Sequence, residues 1–301
     1  MPETESDTIT RNAKSNLAFT LANLPEDVRI HMSQFYAFCR IVDDIVDEPG
    51  MNPQQRHAAL DRWVSVVTGA VEPDAGIERE VRTLIDDLHL DTAPMLELIA
   101  GCRGDISPVQ PVTRKELLAY SYKVASCVGL TSATVMGASE AARDYAVALG
   151  YALQLVNILR DVAEDCRKYG RFYLPQDDME LFGVTREDIT EQRYNYRVRQ
   201  LLAYEAALAE RYFGEAEELY QALPVEDKNA LIPAQAMSLI YHTTLEKMQA
   251  DEYRAFERRY SVGNFRKLWF LLRARFGTVE MPSIPDMPGL ANWSFLKRKD
   301  N

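Results

Sequence analysis

The sequence predicts an all-α protein. Apolar residues recur at intervals of three and four along almost the whole chain, and runs that alternate with period two are hard to find. Only 14 Gly and 14 Pro punctuate the 301 residues, and an apolar content of 47% is enough for a substantial core.

Helical periodicity is read in order over 26–48, 53–70, 75–89, 93–104, 113–138, 140–168, 186–222, 225–257 and 263–276. Breaks fall at Pro49-Gly50, between Pro108 and Pro111, between Gly170 and Gly183, and in the tail MPSIPDMPGLANW. None has the composition of a flexible interdomain linker. One helical domain is expected over 11–278, between a disordered segment at 1–10 and a Pro-rich tail at 279–301.

A net charge of −11 repels nucleic acid, so no nucleic-acid partner is expected. Cys39, Cys102, Cys127 and Cys166 form no CxxC pair, and three of them lie in apolar helical runs. A reducing cytoplasm is the expected compartment. The start MPETESDTIT has neither the basic residues nor the apolar stretch of a signal peptide, and no run approaches the roughly 20 consecutive apolar residues expected of a membrane span. Peripheral contact with the inner face of a membrane is compatible with all of this.

Two helical stretches carry a polar stripe on an otherwise apolar surface. In QLVNILRDVAEDCRKYGRFYLP, at about 100° per residue, Gln154, Asn157, Asp161, Glu164, Asp165 and Lys168 gather within roughly 100°. Leu155, Ile158, Leu159 and Val162 take the other side. Asn and Asp are poor helix formers, so their place in mid-helix points to something other than solubility. In FYAFCRIVDDIVDE, Tyr36, Arg40, Asp43 and Asp47 share an arc of about 60°.

Both stripes contain D-x-x-x-D, which sets two carboxylates side by side one helical turn apart, where they repel unless a cation lies between them. Two such helices facing each other would present four carboxylates across one cavity. An oxygen-only donor set suits Mg²⁺, which completes its shell with waters and substrate phosphates. Arg40, Arg160, Arg167, Lys168 and Arg171 would hold the remaining phosphate oxygens. A di-iron site would need Glu-x-x-His, and none of His31, His57, His89 or His242 has Glu three residues before it. HExxH and cysteine pairs for zinc are also missing. The stretch ASCVGLTSATVMGAS, 125–139, is rich in small residues, which serve either close helix approach or open space for an apolar ligand.

These residues resemble the squalene/phytoene synthases, the head-to-head branch of the trans-isoprenyl diphosphate synthases. The resemblance is carried by LPEDVRIHMSQFYAFCRIVDDIVDE, AYSYKVASCVGL, QLVNILRDVAEDCRKYGRFYLP and, less distinctively, the stretch from Tyr241 to Leu268. It implies an all-α isoprenoid-synthase helical fold with a central active-site cavity. On it, Asp43, Asp47, Asp161 and Asp165 match the two metal motifs, and Asn157 a further metal position. Tyr36, Arg40, Gln154 and Arg160 match positions that contact the substrate diphosphates, with Tyr36 and Arg40 counted among the catalytic set.

Lys14 and Ser15 match an N-terminal phosphate-binding segment, Tyr241 and Arg258 a later diphosphate-side pair, and Arg171 and Tyr173 a flap. Val124, Val128 and Gly129 become candidates to line the substrate tunnel. The implied reaction is Mg²⁺-dependent 1–1′ condensation of two prenyl diphosphates through a cyclopropyl diphosphate, ended by hydride from NADPH or by proton loss. Two farnesyl diphosphates are the expected substrates and two geranylgeranyl diphosphates the alternative. NADPH use stays open, since no G-x-G-x-x-G is present. Oligomeric state also stays open. A class I terpene cyclase and a non-enzymatic helical scaffold are the other readings.

Overall fold

The chain enters its fold through helices that the polar N-terminal composition conceals. In a computed structural model, which describes residues 4–12, 16–21 and 24–276, α1 (Glu5–Asn12) and α2 (Asn16–Leu21) precede the first long helix. The expectation of disorder over 1–10 therefore fails from Glu5 onward, and the reason is tertiary. The Glu80 carboxylate accepts the backbone N–H groups of Glu5 and Ser6 at 3.1 and 3.2 Å. The Glu5 carboxylate in turn accepts the Ile77 N–H at 3.0 Å. Each acid caps the other helix where its first donors have no intrahelical partner.

The long helices follow the apolar periodicity. They begin with α3 (Glu26–Asp47), α4 (Pro53–Thr68), α5 (Ile77–Leu88) and α6 (Ala93–Gly104). Asn52 and Gln55 form a capping box at the start of α4, and Gly69 closes it with φ +72°. The stretch read as one helix over 113–138 is α7 (Arg114–Ser121), a π-helical turn (Tyr122–Ser126) and α8 (Cys127–Val135). After a 3-10 turn come α9 (Arg143–Tyr169), α10 (Gln176–Leu181), α11 (Arg186–Thr190) and α12 (Tyr196–Ala222). The order ends with α13 (Val225–Ala230), α14 (Ile232–Ala250) and α15 (Asn264–Phe276).

Two expected helices are divided. The run over 186–222 breaks because Gln192 takes φ +54° and Asn195 starts α12 anew, its side chain accepting the Val198 N–H. The run over 225–257 breaks before Pro233, which lacks the donor a continuous helix needs, and ends at Ala250, ahead of Glu252 and Tyr253 at φ +53° and +61°.

Helix α9 is the axis of the bundle. Its Leu155, Val156, Leu159 and Val162 are buried, and it packs most extensively on α12, where Leu201, Leu202, Ala206 and Ala209 are buried. The stretch 140–169 is apolar and long enough to cross a membrane by length and composition, but it is the helix around which the others pack. On its other side the small-residue stretch closes the gap. A Cβ on Gly150 would fall onto the Ser126 backbone, and one on Gly129 would lie 2.8 Å from the Ala146 carbonyl oxygen. Of the two uses small residues could serve there, close helix approach is the one found.

Candidate active site

The stripes of α3 and α9 face one another across a cavity of about 760 Å³. Arg40, Asp43 and Asp47 come from α3, and Gln154, Asn157, Arg160, Asp161 and Asp165 from α9. Each helix turns its apolar side to the core, so burial of Phe35, Phe38 and Val42 on one and Leu155, Leu159 and Val162 on the other aims both carboxylate pairs inward.

The flap reaches the cavity through the end of α9. Gly170 caps that helix at φ +66°, and the Arg171 N–H donates to the Asp165 carbonyl at 2.9 Å, which turns the chain back toward the carboxylates. Arg171 Nη1 then lies 2.7 Å from Asp47 Oδ1 and its Nε 3.9 Å from Asp105 Oδ1. The side chain is only 8% exposed. Tyr173 donates to Asp105 Oδ1 at 3.1 Å and Tyr120 to Asp105 Oδ2 at 2.8 Å, with the two rings stacked at 4.8 Å.

Asp105, Tyr120 and Arg259 are cavity residues that the sequence reading did not assign. Asp105 follows α6 in a loop, outside any D-x-x-x-D, and a lone Asp after Gly104 carries no periodic signal. Tyr120 lay within the AYSYKVASCVGL block, which was its available cue. Arg259 corrects the assignment of Arg258 by one residue. Arg258 Nε pairs with Asp251 at 3.2 Å outside the cavity, whereas Arg259 Nε stands 3.4 Å from Asp161 Oδ1.

Tyr241 lines the cavity as expected. Tyr36 is buried next to Arg40 instead of standing on the cavity wall. Val124, Val128 and Gly129 do not line the cavity either. Val124 packs on Gly101 and Gly129 on Ala146, both at helix crossings. Lys14 and Ser15 lie outside the described residues, but the neighbouring Asn16 is on the cavity wall.

The electrostatics of the site are those of a cation trap. Removal from bulk water raises the Asp43 carboxyl to about 6, helped by repulsion from Asp47 and opposed by Arg40. Half of its side chain, 51%, still faces the open cavity. Asp165 is pushed up to about 7 by burial and then by Asp161, against the pull of Arg171. Burial also raises Asp105, although Arg171 and the two tyrosine hydroxyls favour its charged form. Burial would lower the Arg160 pKa, but the hydrogen bond to Asp161 and the field of Tyr241 outweigh it and raise it.

The residues present fit Mg²⁺. Carboxylates Asp43, Asp47, Glu48, Asp105, Asp161, Glu164 and Asp165 outnumber cations Arg40, Arg160, Lys168, Arg171 and Arg259 on the cavity wall. This excess of carboxylates opposes a bare diphosphate and favours one accompanied by divalent cations. The Asn157 Oδ1 is buried without a hydrogen-bond partner, an acceptor left for a further donor or ion. Among the described residues, no three His, Cys, Asp or Glu side chains are already gathered closely enough to hold a metal ion by themselves.

Comparison with known proteins agrees with this geometry. Residues 10–266 match the squalene/phytoene synthase family. The chain belongs to that family. A phytoene synthase from Arthrospira platensis is 34% identical over 260 residues, covering 80% of this chain and 82% of that protein. The chloroplastic phytoene synthase 3 of Zea mays is 34% identical over 264 residues, but this chain spans 61% of its length. Among solved structures, a dehydrosqualene synthase in complex with ligand superposes with a TM-score of 0.74 at 28% identity, covering 90% of this chain and 94% of that one. A squalene synthase from Alicyclobacillus acidocaldarius gives 0.73 at 28% identity, covering 82% and 93%.

Membership makes the protein a prenyltransferase of the squalene/phytoene synthase type with the isoprenoid-synthase helical fold. The terpene-cyclase and scaffold readings fall with it.

Proposed function

We propose that the protein joins two geranylgeranyl diphosphates head to head to form phytoene, with Mg²⁺ as its metal. The observation that carries the C20 choice is the agreement of relatives: the Arthrospira, Zea and Synechocystis proteins, 32–35% identical over about 260 residues, are all named phytoene synthases. The two structural neighbours at 28% are named for C30 products. This reading takes the geranylgeranyl alternative over the expected farnesyl diphosphate.

In this reading Asp43, Asp47, Asn157, Asp161 and Asp165 hold the metal. Bound there, Mg²⁺ would supply the positive charge that helps a diphosphate leave. Arg40, Arg160 and Arg259, already aimed into the cavity, take phosphate oxygens that the metal leaves free. As diphosphate enters, Arg171 gives up Asp47 for phosphate, and the flap residue Tyr173 follows it over the site.

The chemistry falls on the substrates. The C1–O bond of one breaks, giving an allyl cation and free diphosphate, and the C2–C3 double bond of the other attacks it. Proton loss closes a cyclopropane. A second C–O cleavage releases the other diphosphate, and ring rearrangement with loss of a proton yields the hydrocarbon. NADPH has no part in a route that ends by proton loss. A cytoplasmic protein in contact with the inner membrane face suits so apolar a product.

The test offers equal amounts of C15 and C20 diphosphates with Mg²⁺, with and without NADPH, and identifies the extracted lipid. Phytoene, formed equally with and without NADPH, is expected. Preferential formation of a C30 product restores the farnesyl reading.

A further inference from the structure

Behind the flap, outside the cavity lining, charged side chains from three helices meet in the interior. Arg114 Nη2 of α7 lies 3.3 Å from Asp178 Oδ2 on α10 and 3.7 Å from Glu205 Oε1 on α12. The Glu205 side chain is 2% exposed and that of Asp178 11%. Two acids thus share one guanidinium where little water reaches. The guanidinium also lies over the Tyr204 ring, 4.5 Å from its centroid.

Glu205 carries the imbalance. Arg114 donates a hydrogen bond to Asp178, but 3.7 Å is too long for one to Glu205. Among the described residues, neither Glu205 carboxyl oxygen has a hydrogen-bond partner. A buried carboxylate without donors is costly, whereas a carboxyl that keeps its proton can donate it to Asp178. Burial pushes Glu205 up to about 8, the hydrogen bond and charge of Asp178 add to that, and Arg114 opposes it. Asp178 and Arg114 are the charged groups that face it from α10 and α7.

The cluster lies under a body of chain that includes the flap. The Gln176 and Asp177 N–H groups each donate at 3.0 Å, to the Pro111 and Val112 carbonyls. Gln110 Nε2 donates to the Leu174 carbonyl at 2.8 Å, and the Tyr120 ring of α7 stacks on the flap residue Tyr173. These contacts join the segment before α7, α7 itself, the flap and α10. Phe182, just past α10, packs on Tyr204 with ring centroids 5.2 Å apart. Helix α12 therefore bears this body through a ring contact and the charged cluster.

We propose that Arg114, Asp178 and Glu205 form a proton-dependent latch for the flap. With its proton, Glu205 bridges to Asp178, the cluster is neutral overall, and the flap body stays seated on α12. Without it, two carboxylates oppose one guanidinium, repulsion falls between α10 and α12, and the body loosens, Arg171 and Tyr173 with it. A carboxyl held above its ordinary range in the seated form stabilises that form completely below the ordinary carboxylate range. That contribution is lost as pH rises through about 8. The latch concerns the position of the flap and requires no catalysis.

The test follows amide hydrogen exchange of the full chain at about pH 7 and about pH 9, expressed as protection factors so that the faster intrinsic exchange in base divides out. About one pH unit above its titration, Glu205 favours the unseated form about tenfold more than at low pH. Protection over 171–182 should therefore fall about tenfold relative to that of α5. Glu205→Gln stays neutral at both pH values and its amide still donates to Asp178, so the variant should keep its protection at the higher pH. Should it fail to fold, Asp178→Asn leaves one acid for one guanidinium and carries the same expectation. A variant that loses protection as the wild type does overturns the proposal. So does a wild-type flap equally protected at both pH values, or a loss that α5 shares in full. Loosening of the wild-type flap alone, in a protein without any prenyl transfer, supports the latch and overturns the functional reading instead.

Discussion

Arg171→Met removes the one guanidinium that bridges Asp47 and Asp105 and keeps most of the volume of its stem. Arg171 Nη1 is 2.7 Å from Asp47 Oδ1, and the two side chains are 8% and 21% exposed. Deleting one partner of a buried pair costs about 3–5 kcal/mol, because the other charge stays behind. Asp47 retains some access to water and Asp105 keeps two tyrosine hydroxyls, so the lower end applies, about 3 kcal/mol. With an unfolding entropy of about 2.1 cal/mol/K per residue over 301 residues, the melting temperature falls by roughly 5 °C.

The same substitution makes a second, opposite prediction. In the wild type Arg171 competes with an incoming cation for Asp47, whereas in the variant that carboxylate is free. Mg²⁺ without substrate should therefore raise the melting temperature of Arg171→Met by more than that of the wild type. Thermal unfolding of both proteins with and without Mg²⁺ reads both effects. A variant that melts within about 1 °C of wild type without metal, or gains no more from Mg²⁺, refutes the idea of Arg171 as the resident counter-charge.

Asp43 and Asp165, raised to about 6 and about 7, hold protons more tightly in the folded chain than in the unfolded one. The stability they contribute is complete below the ordinary carboxylate range and is lost as pH rises through about 7. Asp165→Asn should therefore raise the melting temperature at about pH 8 without metal and leave it unchanged near pH 4. Mg²⁺ binding by the wild type, followed by calorimetry, should weaken between about pH 8 and 6 as both carboxylates take up protons. Gly150→Val drives a side chain into Ser126 and should destabilise by about 1–3 kcal/mol in denaturant titration. Gly129→Ala, pressed against the Ala146 carbonyl, should lower stability without changing the chain length of the lipid product. Glu80→Ala uncaps α1 and should cost about 1 kcal/mol, with faster amide exchange at Glu5 and Ser6.

How far the sequence disclosed this site depends on where each residue sits. Asp43, Asp47, Asn157, Asp161 and Asp165 were legible because a helix repeats its faces, and short polar residues on an apolar helix stand out from that repeat. Asp105 and Arg259 come from segments without a period, and only folding brings them to the carboxylates. Helix α1 was hidden for a similar reason: its polar sequence forms no apolar face, and Glu80, distant in the chain, secures its start. The breaks at Gln192 and before Pro233 lie inside runs whose apolar spacing continues past them. The small residues at 125–139 announced a close contact or an open slot. The choice between them needed the position of α9.

The claim on which the rest depends is that the α3 and α9 aspartates together hold Mg²⁺ and diphosphate. It is tested most directly by diphosphate release from geranylgeranyl diphosphate in Asp43→Asn and Asp161→Asn, each shown to be folded by its thermal transition. Both variants are expected to melt cooperatively yet release no measurable diphosphate at Mg²⁺ concentrations that saturate the wild type. Near wild-type release by both would contradict the account.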